Sequence, residues 1–238
     1  MKLLRQKKQA VTIPTTSIQE QLSLLNNYSM SGLNVLHKLN TIGADIINRN
    51  IEGDFVECGV YNGGSAGAIS LALKGSNKHI WLYDSFEGMP DTKEIDGEFA
   101  KQYVGLTVGK IEKVKECMDI AEIPEESYTI RKGWFEKSFE LPRPKNISIL
   151  HVDCDWYDSV LITLNTFYDS VQEGGVIIID DFGHFEGCRE AVYDFIKSKN
   201  IKPLFERFGH SQIFWIKNRM HNRDFSDTAG VFSKQFHV

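Results

Sequence analysis

Residues 150–181 read LHVDCDWYDS, VLITLNTFYDS, VQEGGVIIIDD in succession, and this stretch decides the fold. Two apolar runs each close on a pair of aspartates, and a segment with amphipathic helical spacing, 159–171, separates them. A strand buried on both faces reads as a continuous apolar run, and parallel strands joined through a helix bury both faces. In an open α/β sheet, ligands bind in the crevice outside the carboxyl ends of the strands. Asp153, Asp155, Asp180 and Asp181 are therefore expected to meet at one rim. Carboxylates so placed repel one another unless a cation lies among them, and a hard divalent ion such as Mg2+ is the expected occupant.

Outward from this stretch the same alternation continues. DFVECG (54–59), HIWLYDS (79–85), YTIRKG (128–133), NISILHVD (146–153) and GGVIIIDD (174–181) are predicted strands. Helices are predicted from Gly63-Gly64-Ser65 to about Lys74, over 109–121, at 134–139, over 159–171 and over 186–199. IKPLFER (201–207) and SQIFWIK (211–217) form a hairpin-like pair that closes the sheet with an antiparallel edge strand. Residues 17–50 carry two more helices, broken near Asn27–Ser29, with Tyr28-Ser29-Met30-Ser31 as a polar hinge facing a ligand. The connection 86–126 is long and polar, as lids are, and Glu87 and Asp91 in it are candidates to complete the site. The expected class is α/β, a mostly parallel doubly wound sheet with a C-terminal antiparallel edge hairpin and extra N-terminal helices. Residues 1–50 form an arm and helices, 51–217 the main domain, and 218–238 a polar tail.

The 238 residues suffice for one well-cored domain, and the formal net charge of -5 argues against binding to nucleic acid or an anionic membrane surface. Cys58, Cys117, Cys154 and Cys188 show no CxxC pair or zinc spacing and read as thiols of a reducing compartment. The basic N-terminus lacks the apolar core of a secretory signal, and no apolar run reaches the roughly 20 residues of a membrane span. A cytoplasmic location is expected, and the N-terminal helices and tail suit a homo-oligomer.

At the first strand-to-helix turn stands Glu57-Cys58-Gly59-Val60-Tyr61-Asn62-Gly63-Gly64-Ser65. Its glycines let a ligand approach the backbone, and the helix start behind them favours a negative group. The spacing E-x-G-x-x-x-G-G is not the G-x-G-x-x-G that cradles a pyrophosphate. With Glu57 supplying negative charge, a cofactor with a cationic head and a carboxylate tail suits the turn better than a dinucleotide. Asp84, at the end of the second strand and followed by Ser85, is placed to accept from both hydroxyls of a ribose. Gly133-Trp134, at the end of the third, is placed to flank an adenine ring.

The segments VECGVYNGGS (56–65), LYDSFEGMP (82–90), HVDCDWYDS (151–159) and IIIDDFGHFEGCREAV (177–192), in this order, resemble the macrocin O-methyltransferase (TylF-like) family across about Tyr28 to Trp215. The resemblance implies a Rossmann-like methyltransferase fold, S-adenosylmethionine as methyl donor, and Mg2+-dependent methylation of a hydroxyl on a sugar-containing small molecule. By motif it places Glu57, Gly59 and Ser65, with Tyr61 and Gly63 of the same turn, at the methionine end. It places Asp84 at the ribose, and Asp153, Asp180 and Asp181 on the metal. The tail beyond Trp215 lies outside it.

A sugar hydroxyl is a very weak acid, so its transfer chemistry needs activation by a metal ion and a base. Asp153, Asp155 and His184 are the candidates for this step. His151 and His210 are weaker ones, the first within a strand and the second in the hairpin turn. Two other classes compete on the same sheet: a nicotinamide-dependent oxidoreductase, whose glycine signature is missing, and a Mg2+-dependent phosphohydrolase, which leaves Glu57 and Asp84 without a role. A binding module without catalysis is a further alternative.

Overall fold

The structure, a computed structural model, describes residues 17–218. The arm 1–16 and nearly all of the tail 218–238 lie outside the described residues. Seven strands form one sheet: β1 Asp54–Cys58, β2 Ile80–Asp84, β3 Tyr128–Lys132, β4 Ile147–Val152, β5 Val171–Ile179, β6 Glu206–Phe208 and β7 Gln212–Ile216. The helices are α1 Ile18–Leu25, α2 Leu33–Asn48, α3 Gly64–Leu73, α4 Gly97–Ala100, α5 Ile111–Ile120, α6 Phe135–Ser138, α7 Tyr157–Phe167 and α8 Glu186–Lys199. The strand order is β3-β2-β1-β4-β5-β7-β6, parallel except at β7, which runs antiparallel to both β5 and β6. The antiparallel strand thus lies one in from the edge, and short β6 covers it.

Three boundaries differ from expectation. Residues 201–205 are not strand: Pro203 cannot donate to a ladder, and only Glu206–Phe208 pairs with β7. The crossover helix starts earlier than predicted, at Tyr157, and ends at Phe167 before a single 3-10 turn, Tyr168–Ser170. β5 begins at Val171, with a register irregularity against β4 near Gly174, and ends at Ile179. Asp180 and Asp181 consequently stand just past the strand.

Strand alternation divides the core between the two faces of the sheet. Phe55, Ile149 and Ile178 pack with Leu22, Leu25, Leu36, Leu39, Ile46 and Ile69 of α1, α2 and α3. Val56, Leu150, Ile177 and Ile179 pack with Leu164, Val192 and Phe195 of α7 and α8. The N-terminal helices therefore share a core with the sheet. A capping box starts α1, in which Ser17 Oγ accepts from the Glu20 N–H at 3.2 Å and the Glu20 carboxylate accepts from the Ser17 N–H at 2.8 Å. Among the described residues no helix is long and apolar enough to cross a membrane.

The strand order reverses between β1 and β4, which opens the crevice where ligands bind in such sheets. The chain is tightest there. Gly59 has φ +87°, and a Cβ on it would lie 1.6 Å from the Asp153 carbonyl oxygen. Any side chain at this position separates the glycine turn from the first aspartate. Gly59→Ala is expected to cost about 3 kcal/mol or more, lowering Tm by about 6–12 °C in a chain of this size. An unchanged Tm in thermal unfolding would refute this close approach.

Candidate active site

The sheet ladder itself delivers the aspartates. The Asp153 N–H donates to the Cys58 carbonyl at 2.9 Å, and the Asp180 N–H to the Val152 carbonyl at 3.0 Å, each extending a parallel ladder by one residue. Past Ile179 the backbone bends, and the N–H groups of His184 and Phe185 both donate to the Asp181 carbonyl at 3.0 Å. This bend allows adjacent aspartates to serve one site, although on a strand they would face opposite ways. It begins at Asp180. Asp155 occupies the centre of a three-residue turn closed by the Trp156 N–H on the Cys154 carbonyl at 2.7 Å, with φ +61°. Positive φ at a residue other than glycine is strained, and such strain gathers at functional sites.

Carboxylate oxygens of Asp153, Asp180 and Asp181 all lie within 4.8 Å of one another. An octahedral Mg2+ holds oxygens at about 2.0–2.1 Å, so ligands on opposite sides are about 4.2 Å apart. The all-oxygen donor set and its spacing fit one such ion. Burial is the main cause that pushes Asp153 and Asp181 well above the usual carboxylate range, with repulsion from Asp180 adding most to Asp153 and from Asp155 to Asp181. Burial likewise pushes Asp155 up to about 6, while the contact with Asp181 opposes the rise and Asp180 and Asp84 add to it. A cation relieves these repulsions.

Behind this rim lies a pair that sequence reading left apart. Glu57 and His151 are register partners on β1 and β4, and both are fully buried. Glu57 Oε1 accepts from Ser65 Oγ at 2.5 Å and lies 3.0 Å from His151 Nδ1, whereas Glu57 Oε2 has no partner. His151 Nε2 lies 3.7 Å from Asp180 Oδ1, an ion-pair distance longer than a hydrogen bond. Burial works to lower the His151 pKa, but Asp180 and Glu57 together outweigh it and hold the imidazole well above its ordinary value. The signal was a polar residue inside an otherwise apolar buried strand.

The glycine turn alternates in hand, with positive φ at Gly59, Tyr61 and Gly63 and none at Val60 or Asn62. Alternation of this kind turns successive N–H groups into an anion-binding concavity, and the anion held there is the Asp84 carboxylate. Gly63 caps α3, whose N-terminal end adds to that preference. Asp84 braces the turn: its Oδ2 accepts from the N–H groups of Val60 and Tyr61, each at 2.8 Å, and its Oδ1 from the Phe86 N–H at 2.6 Å. Asp84 Oδ1, with one acceptor site used, is the oxygen left for a ribose hydroxyl. An orphaned buried carboxylate oxygen near the N-terminal end of α3, which no side chain caps, fits an amino acid moiety carrying an ammonium and a carboxylate.

Turn and rim face a single cavity of about 620 Å³. Gly59, Tyr61, Ser65, Asp84, Ser85 and Trp134 line the side next to the glycine turn, and Asp153, Asp155, Asp180, Asp181 and His184 the acidic side. Of the other predicted residues, Glu57 lies behind the lining, Gly63 shapes the turn, and Gly133, with φ +133°, donates its N–H to the Asp84 carbonyl without lining the cavity. The Tyr28–Ser31 hinge contributes to the wall, as expected, and so do Asp91 and His210, whereas Glu87 does not. His184 is exposed and packs edge-on against Phe99, Tyr103 and Phe185. Asp96, unremarked in the sequence, is 4 % exposed and pins the excursion: it accepts from the N–H groups of Tyr157 at 2.8 Å and Lys93 at 2.7 Å. The Trp156 indole N–H adds a second pin on the Pro90 carbonyl at 3.0 Å.

Comparison with known proteins agrees with this geometry. The chain is 26% identical over 203 residues to demethyldecarbamoylnovobiocin O-methyltransferase of Streptomyces niveus, covering 82% of this chain and 77% of that one. It is 26% identical over 196 residues to a tetracenomycin rhamnosyl 4'-O-methyltransferase of Streptomyces olivaceus, covering 79% and 75%. Among solved structures, the O-methyltransferase NovP superposes with a TM-score of 0.74 at 24% identity over 81% of this chain and 83% of that one. The calicheamicin methyltransferase CalS11 superposes with 0.66 at 15% identity over 84% and 91%. These likenesses displace the oxidoreductase, hydrolase and non-catalytic alternatives. The model of the macrocin O-methyltransferase (TylF) family matches residues 16–217, and the chain belongs to that family of O-methyltransferases.

Proposed function

We propose that this enzyme transfers the methyl group of S-adenosylmethionine to a hydroxyl of a sugar-containing small molecule, with Mg2+ at the aspartate rim. The observation that carries the reading is the single cavity in which the glycine turn faces Asp153, Asp180 and Asp181. The relatives support a sugar acceptor, since one methylates a rhamnosyl group by its name and another is a mycinamicin III 3''-O-methyltransferase. When bound, S-adenosylmethionine supplies an electrophilic methyl that passes from sulfur to the acceptor oxygen, leaving S-adenosylhomocysteine, and Mg2+ supplies charge that acidifies the hydroxyl.

The remaining work falls to the chain. Glu57, fixed by Ser65 and His151, keeps Oε2 unpaired for an ammonium, and the N-terminal end of α3, free of a side-chain cap, accommodates the carboxylate. Asp84 holds the turn and offers Oδ1 to the ribose, and Trp134, which lines the same cavity, flanks the base in this reading. Asp153, Asp180 and Asp181 hold the metal. Asp155 takes the hydroxyl proton: it lines the acidic side of the cavity beside Asp153, and its strained turn places it at the same rim. His184, on the wall among aromatic rings, shapes the acceptor end. Closing donor and acceptor in one cavity supplies proximity, which is worth about 7–11 kcal/mol in well-oriented reactions.

Isothermal titration with S-adenosylhomocysteine is expected to show micromolar binding, and its absence would sink the reading. Methyl transfer is expected to vanish with a chelator and return with Mg2+. Asp180→Asn is expected to abolish metal-dependent turnover and leave affinity for S-adenosylhomocysteine within about threefold of the parent; turnover indifferent to both chelator and substitution would remove the metal from the mechanism. Asp155→Asn is expected to lower kcat by about 10²–10⁴ with donor affinity kept, the usual range for a lost general base. A kcat within a factor of a few of the parent would transfer the proton to another group.

A further inference from the structure

His151 lies between the two halves of the site. Its Nδ1 lies 3.0 Å from Glu57 on the donor side, and its Nε2 lies 3.7 Å from Asp180 on the acidic side. The sheet dictates this. Glu57 and His151 are directly opposed in the β1/β4 register, so their side chains leave the same face. Ile178 opposes His151 in the β4/β5 register, and Asp180 follows it by two residues, the strand period that returns a side chain to that face. All three groups are buried, and the orphaned atoms mark where the arrangement is incomplete: Glu57 Oε2 and His151 Nε2 are both without a hydrogen-bond partner. Asp180 is meanwhile held from its other oxygen, where Oδ2 accepts from Gln212 Nε2 of β7 at 3.1 Å.

We infer that His151 is a positioning residue that links the donor pocket to the metal rim, orienting Glu57 through Nδ1 and Asp180 through Nε2. Glu57 is a carboxylate with two rotatable bonds beyond its Cβ. With Oε1 tied by Ser65 and His151 together, Oε2 is the oxygen left unpaired behind the cavity lining. On the opposite side, a metal-ligating carboxylate needs its second oxygen and its orientation set by neighbours, and such partners commonly govern affinity by 10–100-fold. Gln212 holds one oxygen of Asp180 by a hydrogen bond, and His151 Nε2 stands at ion-pair distance from the other. One imidazole is therefore expected to bias both binding events. This role rests on the donor and metal reading above.

The two nitrogens of His151 can be tested separately, because an Asn amide nitrogen stands near the place of Nδ1 and a Gln amide nitrogen near that of Nε2. Binding of S-adenosylhomocysteine and of Mn2+, as a surrogate for Mg2+, is measured by isothermal titration on the full-length parent, His151→Asn, His151→Gln and His151→Ala. Thermal unfolding confirms that each is folded. His151→Asn is expected to keep donor affinity within about threefold and to lose about tenfold or more in Mn2+ affinity. His151→Gln is expected to do the reverse, losing about tenfold for the donor product and keeping the metal. His151→Ala is expected to lose both. Folded Asn and Gln variants that bind both ligands like the parent would overturn the link, as would equal losses of both ligands in both variants, the pattern of a merely structural residue. A parent protein that binds neither ligand would instead overturn the function reading itself, and this role with it.

Discussion

Four aspartates forced to one rim are the constraint on which the remaining architecture turns. Carboxylates at this separation repel, and their surroundings bury them, so the folded chain carries the strain wherever no cation offsets it. The fold holds them through backbone placement. Ladder hydrogen bonds at the ends of β4 and β5 fix Asp153 and Asp180, a bend aligns Asp181, and a positive-φ turn projects Asp155. The sheet around them is apolar on both faces, and that packing supplies the stability against which the unfavourable cluster is set.

The donor side solves a related problem with backbone rather than side chains. The alternating turn from Gly59 to Gly63 would not hold its shape alone, because each positive φ costs conformational freedom in the folded state. Asp84 holds it by accepting from two N–H groups of the turn, and the excursion holds it from outside, where the Lys110 N–H donates to Asn62 Oδ1 at 3.1 Å. The same excursion is pinned at its other end by Asp96 and by the Trp156 indole N–H. Glycine turn, acidic rim and excursion are thus joined through a few polar contacts around one cavity. An enzyme that must exclude water and align two substrates needs this kind of shared support.

Much of this was legible from residues 150–181 and the turn at 57–65. Apolar runs ending in aspartate report buried parallel strands, and glycine spacing reports a close approach, because both signals are local. The residue pattern predicts Asp153, Asp155, Asp180 and Asp181 at one rim, and all four line one cavity. The strand ends were less legible. Pro203 shortened β6 and a register irregularity near Gly174 lengthened β5, since pairing with a neighbour overrides propensity at an edge. Asp96 gave no local signal, as its function is to accept N–H groups at a distant helix start.

His151 marks the boundary between the two kinds of information. Read along the chain it is a lone polar residue in a buried strand, and so it ranked below His184. Its partner Glu57 is 94 residues away, and only the β1/β4 register sets them face to face. Residue order by itself determined the class of fold, the glycine turn and the crowding of carboxylates, because these follow from periodicity and from what ends each strand. Tertiary structure alone decided which oxygen is bonded, which is left free and which imidazole stands between them, because those depend on register and burial summed over segments that the chain keeps far apart.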